Sequence, residues 1–165
     1  MVKQKHLSDA LTLISTPHFP YRSKKKKVYA HSALLGIGGN IGDVKRRFEH
    51  LFWYMKRSPF LHLTETAPLL KNPPFGFLEQ EYFYNSILLV ETNLTPRRLL
   101  AYLLNVERQF GRQRLFKDGP RTLDIDILFY DNVTMQTKSL TLPHPGWKER
   151  VSVLIPLSKM KGKVR

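Results

Sequence analysis

The chain has no cysteine, which excludes disulfides and thiolate metal sites and is compatible with a reducing compartment. It also lacks any apolar run approaching the roughly 18–20 residues that cross a bilayer. Acidic residues are scarce: 13 Asp and Glu stand against 27 Lys and Arg, a net charge of +14. That balance favours anionic partners, whether nucleic acid, a membrane surface or a phosphorylated small molecule, and does not choose among them. What is present in ordinary measure is apolar content. At 42% of 165 residues it suits one domain with a proper core and argues against disorder throughout.

Residues 1–27 show no clear periodicity and end in the run Lys24-Lys25-Lys26-Lys27. They lack the apolar stretch and cleavage site of a secretory signal. Asp9, with Arg22 as the one arginine, fits an organellar leader poorly. A loosely ordered basic extension is expected here, with a nucleic-acid or membrane tail as the alternative. Residues 28–165 then form the domain.

Within that domain, 28–37 reads as a strand running into Gly36-Ile37-Gly38-Gly39-Asn40-Ile41-Gly42-Asp43. A glycine-rich turn of this kind brings backbone N–H groups near phosphate. No Gly-Lys-Ser/Thr follows, however, and the spacing departs from the dinucleotide fingerprint. A tight turn with Asp43 capping the next helix is an equal reading. Val44, Phe48, Leu51 and Met55 predict a helix over 44–57. A strand over 60–66 is closed by Pro68. The stretch 69–81, with Asn72-Pro73-Pro74-Phe75-Gly76, is expected as a mobile connection and candidate lid.

A further strand is expected over 82–91. Thr95-Pro96 opens a helix to about Gln109, with Leu99, Leu100, Leu103 and Val106 inward and Gly111 ending it. One more strand follows, then a turn at Asp131-Asn132, a short hairpin, and a last helix over 148–157. The order strand, helix, strand, strand, helix, strand is the split βαβ arrangement of a ferredoxin-like α+β domain, expected as a sheet with helices on one face.

The stretch that resists a purely structural reading is Gly119-Pro120-Arg121-Thr122-Leu123-Asp124-Ile125-Asp126-Ile127-Leu128-Phe129-Tyr130. With period two, Leu123, Ile125, Ile127 and Phe129 share an apolar face, and Thr122, Asp124, Asp126, Leu128 and Tyr130 share the other. Asp is depleted in strands, and adjacent like charges repel unless a cation lies between them. Mg²⁺ prefers one or two carboxylates completed by phosphate oxygens and water. Arg112, Arg114, Lys117 and Arg121 lie in the loop feeding the strand, where they could reach such a phosphate. These are the parts phosphoryl transfer needs. The alternative is a charge network in which the aspartates pair with Arg121 and Arg114.

His144, held between two prolines, is either a phosphate donor or an ordinary loop histidine. Asn85 either recognises an amide-like heterocycle edge or, the plainer reading, satisfies a strand-end backbone group. Phe83, Tyr82 and Tyr84 read first as core.

The segment Lys117-Asp118-Gly119-Pro120-Arg121-Thr122-Leu123-Asp124-Ile125-Asp126-Ile127-Leu128 resembles the signature of the 6-hydroxymethyl-7,8-dihydropterin pyrophosphokinases of folate biosynthesis. The resemblance runs from about Val28 to about Leu157. It includes Gly38-Gly39-Asn40, Tyr84-Asn85, Glu107 with Gly111-Arg112-Gln113-Arg114, and Pro143-His144-Pro145 followed by Arg150. It implies a ferredoxin-like fold and transfer of pyrophosphate from ATP to the pterin hydroxymethyl group, leaving AMP. Two Mg²⁺ would sit between Asp124, Asp126 and the ATP phosphates. Arg112, Arg114, Arg121, His144 and Arg150 would bind phosphate, with Arg114 and Arg121 also serving catalysis. Asn85, Thr66 and Phe83 would meet the pterin.

The chain departs from the family pattern at Asp118, where tryptophan is common. It also departs at Leu115, near Ser152 in place of a stacking phenylalanine, and in a basic loop one residue shorter. A cytoplasmic monomer without nucleic-acid or membrane partners is expected. The rivals are an RRM-like RNA-binding module, which shares the strand order but wants a Lys/Arg-Gly-aromatic third strand, and a metal-dependent nuclease, which wants further carboxylates or histidines.

Overall fold

A computed structural model describes residues 2–25, 29–112 and 116–165. Its amino-terminal stretch is not the loosely ordered extension expected. β1 (Lys3–His6) and β2 (Thr12–Ser15) form an antiparallel hairpin, and β3 (Tyr21–Arg22) follows. The segment folds on single anchors rather than on a periodic face. Ile14 and Phe19 are fully buried, and the Phe19 ring lies 6.0 Å from Phe48 and 6.3 Å from Phe52. Glu49 fastens the turn between them, accepting from Thr16 Oγ1 at 2.8 Å and pairing with His18 Nδ1 at 2.6 Å. Isolated anchors leave no period in a sequence, which is why the segment looked structureless.

The expected alternation then appears. β4 (His31–Gly39) leads to α1 (Val44–Lys56), β5 (Leu61–Thr66), β6 (Leu69–Asn72), β7 (Phe83–Thr92), α2 (Pro96–Gln109) and β8 (Asp124–Tyr130). Asp43 caps α1 by accepting from the Arg46 N–H at 3.1 Å, and Thr95 caps α2 with Pro96 at its first turn. Gly111, at φ +72°, ends α2 as a left-handed residue should. β8, β4, β7 and β5 lie side by side, all antiparallel, which is the order of a ferredoxin-like unit.

β6 is the addition. It pairs with β7 at Phe83–Asn85, where β5 has ended, and joins β2 on its other side. The expectation of a mobile 69–81 connection therefore fails for its first four residues. Leu69 and Leu70 are wholly buried. Burial on both faces erases the alternation that marks a strand. With β3 on β5, the sheet has eight strands among the described residues.

β9 (Met135–Gln136) and β10 (Thr141–Leu142) make the small hairpin, and a 3₁₀ turn at Trp147–Glu149 precedes α3 (Val151–Ser158). α1 and α2 bury Val44, Phe48, Leu51, Met55, Leu99, Leu103 and Val106 against Leu35, Ile37, Leu88, Val90, Ile125 and Ile127. α3 sits on the opposite face, over Leu34, Ala67, Ile87, Leu89 and Leu128. Helices on one face alone was therefore incorrect, because β4, β7 and β8 carry apolar residues in both phases and need cover twice.

The period also breaks inside β8. Leu35 pairs with Ile127 and Leu34 with Phe129, leaving Leu128 as a bulge. Phe129, expected beside Ile127, instead meets Trp147 at 5.0 Å, and Tyr130 takes its place in the core under α2. Among the described residues no helix is long and apolar enough to cross a membrane.

Candidate active site

Two glycines make the floor of the site. In β4, Gly36 pairs with Asp126 of β8 and Ile87 of β7, and Gly38 pairs with Asp124 and Asn85. Paired residues project to the same face, so the strand between the aspartates and the amide contributes no side chain there. The result is a trough with Asp124 and Asp126 on one bank and Asn85 on the other, closed by Phe83, Arg121, Arg150 and Ser152. A Cβ on Gly38 would stand 2.4 Å from Asn85 Oδ1, and one on Gly39 would stand 2.5 Å from the Thr122 carbonyl. Both positions are closed to larger residues by contacts the site itself makes. The trough holds about 90 Å³, below the roughly 300–1,000 Å³ of a typical ligand pocket.

Asp124 is almost fully buried and accepts from Arg121 Nη1 at 2.6 Å. The ion pair foreseen in the structural alternative is thus present, and both of its members line the trough. Arg121 is also fixed through its backbone: its N–H donates to Asn40 Oδ1 at 2.9 Å, and its carbonyl accepts from the Asn40 and Ile41 N–H groups. Asp126 is half-buried one pleat further along.

His144 hangs beside it, its backbone N–H donating to the Leu128 carbonyl at 2.9 Å. Burial, with Arg150 nearby, pushes its ring below the ordinary histidine pKa against the pull of Asp126. Nδ1 accepts from the Gly146 N–H at 3.2 Å, so the neutral ring carries its proton on Nε2. That leaves a directed donor.

Other expected residues lie elsewhere. Thr66 is buried and donates to the His18 carbonyl at 2.6 Å, away from the trough. Arg112 pairs through Nε with Glu107 at 3.2 Å. Glu107 in turn accepts from the Ile125 N–H at 2.6 Å, so this pair braces the start of β8. Arg114 falls outside the described residues.

Asn40, Gln80 and Asn72, which have no role assignable from the sequence alone, also belong to this neighbourhood. Asn40 Nδ2 donates to Gln80 Oε1 and to the Glu81 carbonyl, each at 2.9 Å. Gln80 Nε2 donates to the Phe77 and Asp118 carbonyls, each at 2.7 Å, and Phe77 meets Phe116 edge-on at 5.0 Å. These contacts dock the 73–82 loop against the 116–121 loop at the mouth of the trough. Asn72, at the end of β6, accepts from Asn85 Nδ2 at 2.7 Å. The available signals were the asparagines after Gly38-Gly39 and before Pro73-Pro74.

Among the described residues no third His, Asp or Glu joins the two aspartates as a metal-holding group. A pair of carboxylates on one strand face fits a hard divalent cation that completes its shell with phosphate oxygens and water, as Mg²⁺ does.

A family model described as 7,8-dihydro-6-hydroxymethylpterin-pyrophosphokinase matches residues 34–162, a span that contains the whole trough. A relative from Helicobacter pylori, named 2-amino-4-hydroxy-6-hydroxymethyldihydropteridine pyrophosphokinase, is 38% identical over 148 residues, covering 88% of this chain and 91% of its own. One of the same name from Campylobacter jejuni is 43% identical over 139 residues, covering 84% and 88%. The folic acid synthesis protein FOL1 of Dictyostelium discoideum is 36% identical over 124 residues, covering 75% of this chain but 19% of its own length.

Proposed function

The chain belongs to the 7,8-dihydro-6-hydroxymethylpterin-pyrophosphokinase family, and we propose that its trough transfers pyrophosphate from ATP to the hydroxymethyl group of 6-hydroxymethyl-7,8-dihydropterin. The observation that carries this is the facing of two carboxylates and one amide across a glycine floor. A phosphate chain and a polar heterocycle are thereby held side by side. The hydroxymethyl oxygen attacks the β-phosphorus of ATP. An O–P bond forms while the bond from that phosphorus to the oxygen bridging the α-phosphorus breaks. AMP leaves, and the hydroxyl proton passes to solvent.

Asp124 and Asp126 would hold two Mg²⁺. Held there with ATP, the metal would neutralise phosphate charge and stabilise the charge that builds on the transferred group. The protein's own part is positioning. Arg121, locked by Asp124 and by Asn40, presents a guanidinium whose direction is set before substrate arrives. Arg150 faces it from the start of α3, and His144 offers Nε2–H beside Asp126. Arg114 is proposed to complete the phosphate-binding set. Arg112, through Glu107, supports the start of β8. Asn85 and Phe83 hold the heterocycle.

No nucleophile of the protein is required, because no covalent enzyme intermediate is formed. Nothing in the trough favours the RNA-binding alternative, since two carboxylates on the sheet repel a phosphate backbone that brings no metal.

The test is incubation with ATP, Mg²⁺ and the hydroxymethyl dihydropterin, followed by identification of the nucleotide released. AMP with a pyrophosphorylated pterin is expected. ADP, or no turnover by a folded sample, overturns the proposal.

A further inference from the structure

Asn85 is an amide, and an amide can present either of two opposite chemistries to a ligand. Oxygen accepts and NH₂ donates, and rotating the group by half a turn exchanges them. Which one faces the trough decides which heterocycle edge can bind, and the choice is made by a residue outside the family's signature segment.

Asn72 Nδ2 lies 3.0 Å from the Pro73 carbonyl, which can only accept. The NH₂ of Asn72 must therefore point that way, and its Oδ1 must point toward Asn85. That oxygen can in turn only accept, so Asn85 turns its NH₂ to it at 2.7 Å. The Asn85 oxygen is left against Gly38, on the trough side. Reversing either amide would place two acceptors face to face.

Burial gives this relay its strength. Asn72 is 8% exposed, so water is poorly placed to replace a lost partner. The pairing also follows from the fold. Asn72 stands opposite Phe83 in the β6–β7 register, which puts it diagonal to Asn85 on the same face.

We infer that Asn72 is a specificity-determining positioning residue: it fixes the Asn85 amide so that Oδ1 is displayed to the trough and the heterocycle edge that binds there must carry N–H donors. This rests on the proposed function and refines its substrate side. A heterocycle offering only ring nitrogens or carbonyl oxygens at that edge meets an acceptor and is rejected. Discrimination of this sort is strong where a buried polar group would be left unpaired.

The experiment compares the full chain with Asn72→Leu, Asn72→Asp, Asn85→Ala and the Asn72→Leu/Asn85→Ala double variant. Kinetics with ATP, Mg²⁺ and the pterin are read alongside the calorimetric Kd of the pterin. Asn72→Leu removes the acceptor while keeping the same branched shape. It should raise the pterin KM and Kd about tenfold while kcat and the ATP KM stay within about threefold. Asn72→Asp keeps an oxygen toward Asn85 but sets its other oxygen against the Pro73 carbonyl, so its pterin affinity should fall between those of wild type and Asn72→Leu, and an affinity no better than that of Asn72→Leu counts against the inference. In the Asn85→Ala background Asn72→Leu should add no more than about twofold, because the two act as one unit.

If wild type releases no AMP, the proposed function fails and this inference with it. If wild type turns over and Asn72→Leu leaves the pterin KM and Kd unchanged, the inference alone fails. It fails likewise if Asn72→Leu lowers kcat and ATP affinity equally, or if it adds its full effect to Asn85→Ala. Should Asn72→Leu not fold, Asn72→Ala takes its place with the same expected readings.

Discussion

Phe19→Ala should destabilise the whole domain while leaving its chemistry intact. The Phe19 ring is completely buried and packs against Phe48 and Phe52 of α1 at 6.0 and 6.3 Å. Phe48 and Phe52 are themselves buried and reach through to the sheet. Truncation leaves a cavity walled by two rings on a helix that α1's capping and its contacts with β5 hold in place, so collapse is limited. Phe→Ala at such a site costs about 3–5 kcal/mol. For a domain of this length each kcal/mol lowers Tm by about 2–4 °C, so a fall of roughly 6–20 °C is expected in a thermal melt. Phe75→Ala, at a ring 82% exposed, is the control and should move stability by less than about 0.5 kcal/mol.

Turnover of Phe19→Ala measured well below its Tm should match wild type, because Phe19 lines no part of the trough. A melt unchanged by Phe19→Ala would mean that residues 2–25 are not part of the core, and the account of β1–β3 would fall. A normal melt drop with collapsed activity would instead place the segment in the site.

Asp124→Asn and Asp126→Asn should each lower kcat/KM for AMP release by about 10²–10³-fold or more, with far-UV circular dichroism unchanged. Loss of fold instead would return the pair to a structural role. Gly38→Ala puts a methyl 2.4 Å from Asn85 Oδ1; displacing that amide should raise the pterin KM by about tenfold or more, with the ATP KM little changed. His62 gives a pH signature. Burial, with Lys56 and Lys25 nearby, holds its ring below the ordinary histidine pKa against Glu91. The unfolded chain then takes up the proton first. Stability is full above about pH 6.5 and declines as pH falls toward and through the folded value. Urea midpoints at pH 7.5 and 5.5 should differ more for wild type than for His62→Gln.

What could be read in the chain was whatever repeats or caps locally. α1 and α2 announced themselves by apolar residues three and four apart, with Asp43, Thr95-Pro96 and Gly111 at their ends. The aspartate face of β8 followed from period two. What could not be read depended on partners distant in sequence. Phe19 is a lone aromatic until Phe48 and Phe52 surround it. β6 hides because both its faces are covered, and its proline-rich continuation suggests a loop. The bulge at Leu128 is set by the β4–β8 register, so Phe129 and Tyr130 exchanged places without any mark in the sequence. Thr66 and Asn72 posed the same difficulty. Both are polar and flank the same connection, and only the β6–β7 register brings Asn72 to Asn85.

Gly36 and Gly38 show how structural and functional readings of one motif can both hold. As a turn motif, Gly36-Ile37-Gly38-Gly39 needs no ligand to explain it. Both Gly36 and Gly38 nevertheless fall within the body of β4, where each costs about 0.5–1 kcal/mol relative to alanine. Neither has a positive φ to excuse it; the positive-φ glycines are Gly42, Gly76 and Gly111. Their spacing of two puts them on the face shared by Asp124, Asp126 and Asn85, while Leu35 and Ile37 between them fill the core. A strand that alternates large apolar residues with none at all gives up packing on one side only, and on the side where two carboxylates and an amide converge. In the proposed reaction this empty floor would let the phosphate chain and the heterocycle lie within one ligand's length of each other, and filling it would separate them.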